Sequence, residues 1–152
     1  MAVMSEAGEL SAAEALGLLG EVRFGRVVFT SRAMPSVRPV RHVLAGDQIV
    51  ISIGPELALG PPVPGGQTVV AYEADQIDAT GRAGWSVVVI GRARPVTEEA
   101  EQRSLRSLLA AGGRAERLVA ISADVVTGFR LIPGRGEQVN SGAGADLPGA
   151  AG

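Results

Sequence analysis

The sequence predicts a mainly β protein, an antiparallel β-barrel of six to seven short strands with appended helices. Short runs rich in Val and Ile recur along the chain, and Gly, Pro and Asp residues separate them, as is typical of strands and turns. Hairpins and turns connect most of these runs, whereas a doubly wound sheet would need regular alternation of strands with helices. The longest run, Gly84–Val96, is apolar on both faces. One face is therefore expected to fill a barrel interior, and a helix or a second subunit to cover the other.

The composition is that of one globular domain with a short tail. The chain has 152 residues, of which 46% are hydrophobic and only 3% aromatic, so the core is expected to be aliphatic. The formal net charge is −2 and the isoelectric point is near 5.4. A general nucleic-acid-binding protein normally carries a basic face and a high isoelectric point, so no nucleic-acid partner is expected.

Several kinds of chemistry are excluded by residue types that the chain lacks. There is no cysteine, all 14 basic residues are arginine, and there is one histidine. Disulfides, thiolate catalysis, Schiff-base lysine chemistry and a His-rich metal site are therefore ruled out. No basic region followed by an apolar block begins the chain, and no apolar run could span a membrane, so a cytoplasmic protein without a membrane partner is expected.

The first half of the chain is expected to contain a helix and a long hairpin. Ser11 and Glu14 fit a capping box that begins a short helix. The segment Val22–Thr30 is then predicted to form a strand. The segment Ser36–Ile53 is predicted to form two strands joined by a tight turn at Ala45–Asp47, because glycine at position 46 can adopt a positive φ without steric strain.

The second half predicts further strands and one longer helix. After the strand at Gln67–Tyr72 and the long strand already described, Thr97 is expected to begin a helix whose leucines form a buried stripe. Two closing strands follow at Arg117–Ser122 and Thr127–Ile132. We therefore expect a flexible N-terminus over residues 1–10, a domain over 11–132 and a disordered Gly-rich tail over 133–152.

The best candidates for holding a ligand lie on the hairpin. Arg38, Arg41 and His42 follow one another on its first strand, beside an almost wholly apolar second strand that contains Ser52. Guanidinium groups bind phosphate in a bidentate manner. Strict alternation would put the two arginines on opposite faces, but Pro39 favours a bulge that brings both to one side. The alternative is that one or both are solvated surface arginines.

The other candidates each have a structural alternative. His42 is more often a hydrogen-bonded structural residue than a catalytic one. Trp85, the only tryptophan, is expected either to pack in the core or to stack near a ligand, and Ser86 could donate a hydrogen bond to a phosphate. Glu73 and Asp75 resemble a paired-carboxylate site, although a solvated strand end explains both.

Six segments in order resemble the FMN-binding split-barrel family, the pyridoxamine-5′-phosphate-oxidase-like proteins. These segments are Gly25–Thr30, Arg38–Val43, Gln48–Ile53, Val69–Asp75, Gly84–Ala93 and Thr127–Leu131. The resemblance implies an antiparallel split β-barrel that forms a homodimer and binds FMN in grooves between the subunits, with a deazaflavin as the alternative cofactor. It also implies a flavin-dependent oxidoreductase that acts on an unknown small molecule.

By position, the resemblance implies ten cofactor-binding residues and no catalytic residue. The ten are Arg38, Pro39, Val40, Arg41, His42, Ile51, Ser52, Ile53, Trp85 and Ser86. The last two are implied to approach the cofactor, either from the same subunit or from the second one, and the strand backbone at Ile51–Ile53 to lie beside the ring.

Two departures from the family pattern favour alternatives. Glu56 stands where many relatives carry a basic residue that pairs with the phosphate, and an acid there disfavours a bound anion. The tail also has no counterpart of the substrate-binding segment of the true pyridoxamine phosphate oxidases, so oxidation of that substrate is not expected. A flavin-free dimeric binding module is therefore the second hypothesis.

Overall fold

The fold contains eight strands and two helices. A computed structural model describes residues 6–55, 57–59, 67–109 and 116–132. The elements in chain order are β1 (Glu6–Glu9), α1 (Ala12–Glu21), β2 (Phe24–Ser31), β3 (Met34–Ala45), β4 (Gln48–Ile53), β5 (Thr68–Ile77), β6 (Gly84–Pro95), α2 (Glu99–Leu109), β7 (Arg117–Ser122) and β8 (Val125–Ile132).

Six of the strands close into an antiparallel barrel, which confirms the predicted fold class. The order around the barrel is β6, β5, β2, β3, β4 and β7, and β7 pairs back onto the end of β6. The first part of β6 pairs instead with β8, and β1 extends that edge. Gly91 lies where β6 changes partners. A Cβ there would overlap the backbone carbonyl of Ser122, so only glycine fits this close approach.

One domain boundary and the number of strands differ from the sequence prediction. The N-terminus was expected to be flexible over residues 1–10, but Glu6–Glu9 forms a strand whose backbone pairs with the edge of β8. Backbone hydrogen bonding holds this strand, so its side chains show no apolar alternation that the sequence could have indicated. It also makes eight strands instead of six to seven. Residues 1–5 and the predicted disordered tail, 133–152, lie outside the described residues.

The predicted turn of the long hairpin and the start of α1 are present, whereas α2 begins at Glu99, two residues after the predicted start at Thr97. Ala45 pairs with Gln48, and Gly46 adopts a φ of 63° in the turn between them. At the start of α1, the hydroxyl of Ser11 accepts a hydrogen bond from the Glu14 backbone N–H at 3.1 Å, as the capping box predicts.

The two helices cover different parts of the barrel. Helix α1 buries Ala15 and Leu19 in the main core, and Gly128 of β8 leaves the space for Ala15. Helix α2 packs Leu105 and Leu109 onto the outer face of β4 and β7. No helix in the described parts of the chain is long and apolar enough to cross a membrane.

His42 connects three elements in the core. Its Nε2–H donates to the carbonyl of Leu19, the residue near the end of α1, at 2.8 Å. Its Nδ1 accepts a hydrogen bond from the hydroxyl of Tyr72 on β5. Burial raises the pKa of Tyr72 far above its ordinary value, so this hydroxyl remains protonated and able to donate. Both ring nitrogens are thereby satisfied within a core from which only 2% of His42 is exposed.

Replacing His42 with Gln tests this network through the pH dependence of stability. Burial lowers the pKa of His42 below its ordinary value of 6.5, so the unfolded chain binds the proton more readily than the folded chain. The stabilisation that His42 provides should be complete above pH 6.5 and should decline as the pH falls below it, by up to about 1.4 kcal/mol per pH unit. Urea unfolding of both proteins at pH 7.5 and pH 5.0 measures this. A difference in unfolding free energy that is the same at both pH values would contradict the network.

Candidate functional site

The barrel is open along the first half of β3. From Met34 to Arg41, this strand pairs with β2 on one side. On the other side it pairs with β4 only from His42 onward, and no described strand lies against residues 34–41 there. Alternate backbone N–H and C=O groups of this segment therefore face away from β2 without a strand partner. We call residues 34–41 the open edge of β3.

Arg38 supplies a positive charge at the open edge. Its side chain is exposed, and it forms no ion pair with any carboxylate in the described residues. The predicted bulge at Pro39 is wrong, because β2 and β3 pair residue for residue from Phe24 to Ser31. Arg38 and Arg41 consequently lie on opposite faces of the strand, and one phosphate group cannot lie between them.

Arg41 belongs to a separate cavity of about 340 Å³. Its guanidinium carbon lies 5.1 Å from the ring centroid of Phe24, which is a cation–π contact. The cavity lies between the end of α1, β3 and the end of α2, where Arg23 supplies a second cation and Leu44 and Leu108 supply apolar walls. Neither arginine pairs with a described carboxylate, so the cavity is suited to a small anion with an apolar part.

His42 is not a ligand-binding residue. It was one of the implied cofactor-binding residues, but its side chain is buried and both ring nitrogens have partners inside the protein. A contact between this side chain and a ligand would require breaking that network, so the geometry favours the structural alternative.

The other implied residues on β3 and β4 offer mainly their backbone. Val40, Ile51 and Ile53 point into the core, and Pro39 is exposed on the open edge. Ser52 points to the other side of β4 and donates a hydrogen bond to the Glu116 carboxylate at 2.6 Å. Its hydroxyl therefore has a local partner within the protein.

Trp85 and Ser86 lie on β6, far from the open edge of the same chain. Trp85 is 4% exposed and packs in the main core, which agrees with the core-packing alternative. Ser86 lies on the outer face of the sheet. Strands β5 and β2 separate β6 from β3, so the two strands are roughly 14 Å apart at about 4.8 Å per strand spacing. One subunit therefore does not bring Ser86 to the open edge.

The outer face of the sheet carries a charged cluster that sequence reasoning missed. Arg26 Nη1 contacts Glu73 Oε2 at 3.0 Å and Asp75 Oδ2 at 3.3 Å. Burial and the neighbouring Asp75 raise the pKa of Glu73 to about 7, although Arg26 opposes the shift. The expected solvated strand end is wrong, because β5 continues to Ile77. Alternating charges on two predicted strands were visible in the sequence, but only the register places them together.

Beside this cluster runs an unbroken apolar row across five strands. Direct cross-strand neighbours follow one another from β3 to β8 on the outer face. They are Val37, Val28, Ala71, Ile90 and Val125. Val37 and Val125 are each 52% exposed and Ile90 is 43% exposed. We call these five residues the apolar row. A contiguous exposed apolar surface of this kind marks an interaction site more often than an isolated exposed residue does.

Two further features of the sequence concern a metal ion and Glu56. Within the described parts of the chain, no three His, Asp or Glu side chains are placed to hold a metal ion. Glu56, the acid that departs from the family pattern, lies outside the described residues.

Comparison with known protein families matches residues 11–131 to the family described as pyridoxamine 5′-phosphate oxidase. The chain belongs to the pyridoxamine 5′-phosphate oxidase-like family. It is 37% identical over 133 residues to the uncharacterized protein Rv0080 of Mycobacterium tuberculosis, covering 84% of this chain and 87% of that protein.

Solved structures share the fold of this family member. The FAD-binding protein of Mycobacterium smegmatis has a TM-score of 0.66 and 26% identity, covering 81% of this chain and 98% of that one. An FAD-binding protein of Mesorhizobium loti has a TM-score of 0.64 and 20% identity, covering 83% and 97%. At 20% identity, the similarity to the Mesorhizobium loti protein supports only a shared fold. Both similarities agree with the barrel described above.

Proposed function

We propose that this protein binds a flavin along the open edge of β3 and acts as a flavin-dependent oxidoreductase. The observation that carries the proposal is the edge itself, where backbone groups that face no described strand lie beside the guanidinium of Arg38, which pairs with no described carboxylate. A flat ring with an anionic tail matches both features. The similar protein from Mycobacterium smegmatis is an FAD-binding protein by its name, which supports a flavin as the ligand.

The residues of the open edge would hold the FMN moiety, which FMN and FAD share. Arg38 would bind the phosphate through charge-assisted hydrogen bonds. The backbone groups that face away from β2 would hydrogen-bond the polar edge of the ring, and Pro39 would lie against its apolar part. The bound flavin would supply hydride or electron transfer, while the protein binds and orients it. No side chain on the open edge is a carboxyl or imidazole group that could act as a general acid or base, so no catalytic residue is assigned.

The cavity at Arg41 is the proposed place for the small-molecule substrate. It begins at the last residue of the open edge and offers two cations, Arg23 and Arg41, above an apolar wall that includes Leu108. A substrate with a carboxylate or phosphate group would fit this chemistry.

We also infer a homodimer whose subunits meet through the apolar row. The row ends on β3, so a second copy that covers it would also lie beside the open edge. Such a copy could bring its own Ser86 to the flavin, which the roughly 14 Å separation prevents within one subunit. Covering the exposed Val37, Ile90 and Val125 would be favourable at about 25 cal/mol per Å² of apolar surface.

Replacing Arg38 with Ala should weaken flavin binding about 10- to 100-fold, because a hydrogen-bonded ion pair with the phosphate contributes about 1.5–3 kcal/mol. Fluorescence titration with FMN, FAD and a deazaflavin measures the dissociation constants, and Arg103→Ala on the exposed face of α2 is the matched control. Equal affinity of the two variants would contradict the proposed phosphate contact. Binding of the deazaflavin alone would identify the alternative cofactor, and no uptake of any of the three would support a flavin-free binding module.

Replacing Ile90 with Arg should convert the dimer into a monomer, because it places a charge in the middle of the apolar row. Leu108→Arg introduces the same side chain at a residue that is 66% exposed on α2, away from the row, and should leave the dimer intact. Sedimentation equilibrium gives the molar mass of each. A monomeric native protein, or a dimer that persists in the Ile90 variant, would contradict an interface through this face.

A further inference from the structure

The outer face of the sheet holds two carboxyl groups with one cation between them. Both carboxylates contact the same nitrogen of Arg26, so their nearest oxygens cannot lie more than about 6 Å apart. The side chains of Glu73 and Asp75 are 23% and 32% exposed, and that of Arg26 is 51% exposed. With both acids ionised, the cluster carries a net charge of −1.

Among the described residues, no cation other than Arg26 forms an ion pair with Glu73 or Asp75. Across β6, the residues opposite Glu73 and Asp75 are Val88 and Ser86. Across β2, Glu73 faces Arg26 itself, and Arg26 in turn faces Pro39 on β3. The guanidinium of Arg41 lies over the Phe24 ring and forms no ion pair with either described carboxylate. On β5 the neighbouring titratable side chain is that of Tyr72, which is uncharged and bound to His42.

The charged cluster lies directly beside the apolar row. Arg26 precedes Val28 of the row by two residues on β2, and Glu73 follows Ala71 of the row by two residues on β5, so they share its face. A second copy that covers the row would therefore cover part of the cluster as well. Removing water from a cluster with a net charge of −1 is costly, and neutralising one carboxyl group with a proton removes most of that cost.

We propose that Glu73 and Asp75 together take up one proton from solution when a second copy of the chain covers this face, so that the dimer tightens as the pH falls. This inference rests on the proposed homodimer. The proton would be held between the two carboxyl groups, with Arg26 facing the carboxylate that remains ionised. The homodimer would thereby become sensitive to pH near neutrality.

The pH range follows from the state of the pair before association. Burial already raises the pKa of Glu73 to about 7 in the single subunit, and covering the face would raise it further. Below pH 7 the pair is protonated in both states, and the dissociation constant should be independent of pH. Above pH 7 each of the two subunits must gain a proton to associate, so the dissociation constant should rise by up to about a hundredfold per pH unit until the pKa of the dimer is reached.

Sedimentation at graded concentrations tests the proposal with the full chain at pH 6.0, 7.0 and 8.5. For the native protein, we expect a dissociation constant about tenfold larger at pH 8.5 than at pH 6.0. Glu73→Gln keeps the shape of the side chain without the charge and should give a constant that changes less than twofold. Asp75→Asn should do the same, and Glu98→Gln, an exposed acid after β6, should retain the native pH dependence.

The outcomes separate the two proposals. A native dimer whose dissociation constant does not change with pH would overturn the proton uptake and leave the homodimer standing, as would a Glu73→Gln variant with the native pH dependence. A native protein that is monomeric at all three pH values would overturn both.

Discussion

The change of partner along β3 is the constraint on which the rest of the structure depends. The strand pairs with β2 up to Arg41 and with β4 from His42, so the barrel closes around its second half and stays open along its first. The switch occurs where the His42 side chain is fixed between α1 and β5 by two hydrogen bonds. A buried, fully paired side chain at this position marks the boundary between the part of β3 that belongs to the closed wall and the open edge, where we propose that the ligand binds.

Close packing around the same point leaves little freedom in the sequence. Gly25 lies on the inner face of β2, opposite Val40. A Cβ at this glycine would lie 2.6 Å from the ring carbon Cζ of Tyr72. A larger residue would therefore displace the hydroxyl group that donates a hydrogen bond to His42. The glycine, the tyrosine and the histidine form one unit, and the open edge of β3 begins immediately beside it. The proposed ligand groove is therefore supported by the rigid core and is not a mobile loop.

Local features of this fold could be predicted from the sequence because they are encoded by neighbouring residues. The capping box at Ser11 and the turn at Gly46 each need only a few adjacent side chains to specify them. The strand at Glu6–Glu9 could not be predicted, since a free edge of β8 holds it and its own side chains do not. The predicted bulge at Pro39 failed for a related reason. Proline at a strand edge needs no bulge when its missing N–H would face no partner strand.

Only part of the candidate site could be predicted, because the sequence encodes local features but not the contacts between distant strands. Arg38 could be identified from its residue type and its place on a hairpin, and the structure leaves it exposed at the open edge. The burial of Trp85 and the ion pairs of Arg26 depend on which strands meet and in what register. Register between strands distant in sequence has no local signature, so the charged cluster and the apolar row became visible only in three dimensions.

Hydrogen–deuterium exchange of the full-length protein, with and without saturating FMN, tests the central claim most directly. The backbone amides of Val37 and Arg41 face away from β2 towards no described strand and should exchange quickly in the free protein. We expect FMN to slow their exchange, while peptides from β7, which lies between two paired strands, remain unchanged. Bound FMN that protects other segments and leaves residues 34–41 exchanging as before would contradict the claim that the open edge of β3 is the flavin site.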